Sequence, residues 1–118
     1  ENLFRYQAKI IRSLAATENC VIVGRCANYI LRDQPHVAKL YIHAPHDVCV
    51  RSVMQTFGMT SDEAVKAIRD TDKRRAEYYR YFTGHDWKDA DYYDLCLDSS
   101  QLGREKCVAL VKAYLSEL

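Results

Sequence analysis

Six residues recur at alternating spacings of three and four: Val65, Ile68, Asp72, Arg75, Tyr79 and Phe82. That rhythm puts all six on one stripe of one helix. The stripe opens apolar and closes aromatic, with an acid and a base between. A charge facing a core is costly unless it is paired. Asp72 and Arg75 therefore either neutralise each other or mark the point where the helix leaves the core and meets a polar ligand. Arg69, Lys73, Arg74 and Arg80 flank them, giving five bases between Arg69 and Arg80. Such a cluster suits an anion, with phosphate the leading candidate. On this reading Asp72 orients Arg75 and meets a polar group of the ligand, while Arg75 and Arg69 neutralise phosphate charge. The bland alternative is a solvated helix with incidental pairs. Asp70 with Arg74, and Lys73 with Glu77, have the spacing of surface pairs worth ~0.5 kcal/mol each.

Arg25 is a second candidate. It follows the apolar run Cys20–Val23 and Gly24, where an arginine leaving a strand can grip phosphate with both arms of its guanidinium. Its alternative is a surface pair with Asp33. The run Tyr78–Phe82 has the composition of a base-stacking platform, but packing of a hinged subdomain explains it better, because RNA-binding proteins carry a larger net positive charge.

These residues need a scaffold. Leu3–Ala16 reads as a helix with Phe4, Ala8, Ile11 and Leu14-Ala15 on one face. Cys20–Val23 reads as a strand covered on both sides, Ala27–Arg32 as a short helix ending before Pro35, and Ala38–His43 as a second strand. A helix from Pro45 or Asp47 to Phe57 follows, with Val50, Val53-Met54 and Phe57 inward and Gly58 closing it. Thr60-x-x-Glu63 is a capping box for the charged helix, which runs at least to Tyr81 and breaks at Thr83–Asp86. Tyr93–Leu97 is a third strand. Asp98–Gly103 then serves best as a cap for a closing helix, Gly103–Leu118, that buries Cys107, Leu110-Val111 and Tyr114-Leu115. Strands alternating with helices predict an α/β/α three-layer sandwich on a parallel sheet. Ligands of such sheets bind beyond the carboxyl ends of the strands. Three strands are few against the usual ~5, so a part of the sheet is expected upstream.

The chain has 118 residues, a net charge of +1 and 48% hydrophobic residues: enough for one domain over residues 1–118 and one core. The charge balance supports neither a nucleic-acid coat nor a membrane-surface role, and no apolar run approaches the ~20 residues that span a bilayer. No leader is visible in Glu1–Arg5. The five cysteines form no C-x-x-C pair, which points to a reduced, cytoplasmic protein with Cys20, Cys49, Cys96 and Cys107 in its core. The four histidines show no metal-ligand spacing with them, so no metal site is expected.

Four stretches together resemble the cytidylate-kinase-like family of P-loop nucleotide kinases: Val21-Ile22-Val23-Gly24-Arg25; Leu40-Tyr41-Ile42-His43-Ala44-Pro45; the block from Asp72 to Gly84, D-K-x-R-x-x-Y-Y-R-Y-x-T-G, with Trp87; and Tyr93-Asp94-Leu95-Cys96-Leu97. The resemblance implies transfer of the γ-phosphoryl of ATP, with Mg2+, to a nucleoside monophosphate, CMP being the namesake acceptor. It implies a P-loop NTPase-like fold with Arg25, Asp72 and Arg75 near the acceptor. It also implies a lid, about residues 60–92, that brings Arg69, Lys73, Arg74 and Arg80 onto the phosphates. Two rival readings are a degenerate kinase fold that binds a nucleotide or a protein without catalysis, and a P-loop kinase for another small molecule. No G-x-x-x-x-G-K-[ST] loop occurs, since Gly24, Gly58, Gly84 and Gly103 never cluster. The P-loop and the first, central strand are thus expected to lie outside this chain, the chain alone is expected to be inactive, and the gap in the sheet invites self-association or a domain swap.

Overall fold

The computed structural model describes residues 2–118. Helix α1 spans Asn2–Thr17, a one-turn helix α2 spans Ala27–Ile30, strand β1 spans Leu40–His43, and helix α3 spans His46–Phe57. The charged helix α4 runs over Ser61–Thr83, β2 over Leu95–Asp98, and α5 over Ser99–Ser116. The protein is mixed α/β and mostly helical, with one small parallel sheet.

Local chemistry sets the helix boundaries. The α4 capping box forms in full: the Glu63 N–H donates to Thr60 Oγ1 at 3.2 Å, and the Thr60 N–H donates to Glu63 Oε1 at 2.9 Å. Gly58 and Gly84 close α3 and α4 in the left-handed conformation, with φ of 65° and 75°. Asp98 caps α5 by accepting the Ser100 N–H at 2.9 Å. Helix α5 therefore starts at Ser99 rather than Gly103, and Gly103 is a kink inside it, at φ 78° and ψ 167°.

The sheet has two strands, paired in parallel from Leu40↔Leu95 to His43↔Asp98. Asp94 pins its start, accepting the Lys39 N–H at 2.7 Å while its own N–H donates to Lys39 O. Ser99 Oγ donates to His43 O at 3.3 Å at the far end. Cys20–Val23, expected as a buried strand, forms no strand: Val21 and Val23 are 92% and 86% exposed, while Ile22 packs against the core. Without a neighbouring strand the segment has no ladder partner for its backbone and no opposing face for its outer side chains, so Val21 and Val23 face solvent. The three-layer sandwich is accordingly not formed by the described residues.

The core lies where α1, α2 and the end of α4 meet. Ala8, Ile11, Cys26, Ala27, Ile30, Leu31 and Tyr79 are its buried members. Phe4 stacks on Phe82 with ring centroids 4.2 Å apart, and Tyr78 lies edge-on to Phe82 at 4.8 Å and donates to Gln7 Oε1 at 3.2 Å. The aromatic run at the end of α4 thus packs on α1. Several expected core positions are exposed: Phe57, Leu110 and Leu115, and also Cys20 and Cys96. Cys26 and Cys107 are the buried cysteines, and all five are free thiols. An apolar stripe of α1, Leu3, Tyr6, Ile10 and Leu14, also faces outward. No helix among the described residues is long and apolar enough to cross a membrane.

Candidate nucleotide-phosphate site

The backbone turn behind Arg25 is unusual. Gly24, Arg25 and Cys26 take left-handed φ values in succession, 71°, 59° and 60°. A side chain in that region costs roughly 1–2 kcal/mol, and two of the three residues carry one. The turn is held by the Ala27 N–H on Gly24 O at 3.1 Å and the Ile30 N–H on Cys26 O at 2.9 Å. The result buries Cys26 in the core and throws Arg25 outward. Burial pushes the Cys26 thiol up to about 11, so it stays protonated and acts as packing, not as a nucleophile.

Arg25 lines an open cleft of about 440 Å3 together with its turn neighbours Gly24 and Cys26 and with Arg74, Arg75 and Trp87; Val23, Asn28 and three tyrosines, Tyr78, Tyr79 and Tyr93, make up the rest of the wall. Three arginines thus converge on a cleft whose lining includes no carboxylate. Among the described residues, neither Arg25 nor Arg74 has an acidic partner within salt-bridge distance. The expected Arg25–Asp33 and Asp70–Arg74 pairs are not made: Asp70 pairs with Lys66 at 2.9 Å, and Arg74 reaches Thr71 Oγ1 at 3.4 Å.

Asp72 and Arg75 do meet, Oδ1 to a guanidinium nitrogen at 3.4 Å, with side chains 42% and 52% exposed. The couple is therefore not buried in the core; Arg75 lines the cleft and Asp72 does not, and a contact so long and wet is worth little by itself. The Arg75 guanidinium carbon also lies 4.8 Å from the centre of the Trp87 ring.

Behind the cleft, Asn28 ties three elements together. Its amide donates to the Tyr79 hydroxyl at 3.0 Å and to Tyr92 O at 3.3 Å. Burial, the largest effect on Tyr79, pushes its phenol up to about 12, so the hydroxyl is neutral. Tyr93, likewise raised by burial to about 12, donates to Trp87 O at 2.6 Å.

The structure brings Arg25, Arg74 and Arg75 together, with Asp72 at Arg75's side. Arg69, Lys73 and Arg80 lie outside the cleft as it stands: all three are exposed, and Lys73 reaches Glu77 at 4.0 Å. At roughly 100° per residue they stand about 120°, 160° and 140° round α4 from Arg75. Of the three expected strand-tip positions, only the one after Cys20–Val23 lines the cleft, through Gly24 and Arg25. His43 and Asp98, the carboxyl ends of β1 and β2, do not line it, whereas Tyr93, just ahead of β2, does. Sequence reasoning gave no role to Asn28 or Trp87. A lone aromatic after a helix break carries no periodic signal, and only the fold of the Gly84–Asp89 segment brings Trp87 back over Arg75.

Residues 1–101 match the model of the Cytidylate kinase-like family. The chain belongs to that family. It is 29% identical over 109 residues to the cytidylate kinase of Pyrococcus furiosus, covering 91% of this chain and 56% of that protein. Against the cytidylate kinase of Thermococcus sibiricus it is 28% identical, covering 91% and 55%. The chain thus spans a little over half the length of these curated relatives. A crystal structure of an uncharacterized protein from Eubacterium ventriosum superposes with a TM-score of 0.93 at 27% identity, covering 100% of this chain and 67% of that one.

Proposed function

We propose that this chain forms the acceptor-nucleotide part of a cytidylate-kinase-like phosphotransferase, in which the γ-phosphoryl of ATP passes to a nucleoside monophosphate, CMP first among acceptors. The observation that carries the reading is the convergence of Arg25, Arg74 and Arg75 on one carboxylate-free cleft. Phosphoryl transfer asks for positioning and charge neutralisation more than for a side-chain nucleophile, and this cleft supplies cations, while the buried Cys26 thiol in its lining is kept protonated. Arg25 and Arg75 hold the acceptor phosphate, and Asp72 steadies Arg75 and meets a polar group of the nucleotide. The lid reading of α4 is part of the proposal: closure brings further arginines to the phosphates and excludes water.

The donor side is different. ATP with Mg2+ needs a Gly-rich cradle of backbone N–H groups, and the four glycines here stand far apart. The described residues also hold no group of three His, Cys, Asp or Glu side chains placed to share an ion. These residues fit the acceptor and not the ATP phosphates, so no step is assigned through Mg2+. The P-loop three-layer fold, completed by the remainder of a protein as long as the relatives, belongs to the same proposal.

Coupled ADP release with ATP and CMP, UMP or AMP tests it. The 118-residue chain should show no turnover. A polypeptide completed to the relatives' length should phosphorylate one of the three, and its Arg75→Ala variant should lose about 100-fold in kcat/KM, the scale of a phosphate-neutralising group. Binding without turnover in the completed protein would favour the non-catalytic nucleotide-binding reading. Turnover confined to an unrelated alcohol would replace the acceptor class.

A further inference from the structure

We infer that Trp87 is a positioning residue for Arg75: its indole is the platform that holds the guanidinium over the cleft before a phosphate arrives. This rests on the reading of the cleft as a nucleotide-phosphate site.

Little besides Trp87 holds Arg75 in place. Its contact with Asp72 is 3.4 Å long and the two side chains are about half exposed, so that pair alone leaves the arginine free to sample other rotamers. An arginine that must be ordered on binding loses rotamer freedom worth roughly 2 kcal/mol. A flat π-face removes much of that loss in advance, because the guanidinium plane and the ring quadrupole attract each other. The Arg75 guanidinium carbon sits 4.8 Å from the indole centroid, within the ~6 Å over which that attraction acts.

The indole is itself fixed. Tyr41, in the middle of β1, meets it edge-on at 5.4 Å and 85°. Tyr93, just ahead of β2, donates its hydroxyl to the Trp87 carbonyl at 2.6 Å. The start of the sheet thus supports the platform, and the platform supports an arginine of α4. Lys88 also lies over the ring, at 5.4 Å, but it is exposed and does not line the cleft. The Trp87 face therefore serves one cleft cation, Arg75, whose Nη1 donates to Asp72 Oδ1 at 3.4 Å.

CMP titrated into the 118-residue chain by calorimetry, with side-chain NMR of the Arg75 Nε–H, tests the assignment. Trp87→Leu should weaken CMP binding about fivefold to tenfold, and Trp87→Phe, which keeps a π-face, should recover most of it. In a double-mutant cycle the Trp87→Leu loss should vanish in an Arg75→Ala background, since the indole then has nothing to hold. The Arg75 Nε–H resonance should carry an upfield ring-current shift in the wild type that Trp87→Leu removes. Lys88→Ala should change neither. If Trp87→Leu fails to fold, the Phe variant and the wild-type resonance decide alone: an unshifted Arg75 Nε–H overturns the platform. Losses that add independently of Arg75 would also overturn it. A wild-type chain that binds no CMP at all removes the phosphate-site reading instead, and the role of Trp87 falls with it.

Discussion

Arg25 carries two burdens at once. Its guanidinium faces the cleft, and its backbone sits at φ 59° beside Cys26 at 60°. Side chains in that region are found where surrounding structure overrides the strain, often at ligand sites. The two roles separate experimentally. Arg25→Gly removes both strain and charge. It should raise unfolding stability by about 1 kcal/mol while weakening CMP binding, whereas Arg25→Ala should weaken binding with no gain in stability. Urea melts paired with CMP titrations measure both quantities, and a glycine variant less stable than wild type would contradict the account of the turn. At this scale the candidate residues were partly legible. Arg25 could be read because it follows an apolar run and a glycine. Arg75 could be read because a charge interrupts an apolar stripe. Arg69, Lys73 and Arg80 were grouped with them on proximity in sequence alone. Proximity does not survive helical rotation, which carries those three to the outer side of α4. Trp87 and Asn28 act through neighbours more than 10 positions away, such as Arg75 for one and Tyr79 for the other, and nothing local announces that.

Among the elements, α4 is specified most completely by its own residues. Thr60 and Glu63 close its N-terminus reciprocally, and Gly84 ends it. Thr60→Ala should cost about 1 kcal/mol, a fall in Tm of roughly 4 °C for a domain of this size. The cap is also pH-dependent. Hydrogen bonds from the Thr60 backbone, and then its side chain, hold the Glu63 carboxyl below its ordinary 4.5. A carboxyl lowered in the folded state stabilises fully above its unfolded value, and that contribution is lost as pH falls below about 4.5 and through the folded value. Glu63→Gln should therefore lower Tm at pH 7, where the carboxylate's contribution is fully present, and converge on the wild type in acid, so that the acid limb below pH 4.5 is flatter; an unaltered acid limb would show that the carboxylate is not the group acting there. Caps and glycines made α3 and α4 readable almost to the residue. The run Cys20–Val23 was not readable in the same way. An apolar β-branched sequence looks the same whether or not a neighbouring strand exists to pair with it, and pairing is a non-local fact. Helix α5 shows the converse. Asp98 was legible as a cap, but the turn ahead of the Gly103 kink was not, because a glycine reads equally as a stop and as a bend.

On the scale of the whole molecule, two half-built regions share one helix. The aromatic end of α4 completes the core against α1 and α2, and one turn earlier the same helix presents Arg74 and Arg75 to the cleft. Positive charge is concentrated there, in Arg25, Arg74 and Arg75, while the chain as a whole is nearly neutral, at +1. The sheet has two strands, Val21 and Val23 face outward, and the chain spans a little over half the length of the curated relatives it matches. The cleft proposed for the acceptor is lined by residues of this chain, and this makes the central claim testable on the chain itself. Calorimetric titration of the 118-residue chain with CMP, run beside cytidine and beside the Arg75→Ala variant, measures it directly. Saturable binding of CMP, at least tenfold weaker for cytidine and for Arg75→Ala, as expected when a charge-assisted phosphate contact of roughly 1.5–3 kcal/mol is removed, is the predicted result. Equal affinity for CMP and cytidine, or full CMP affinity in the Arg75→Ala variant, would contradict it.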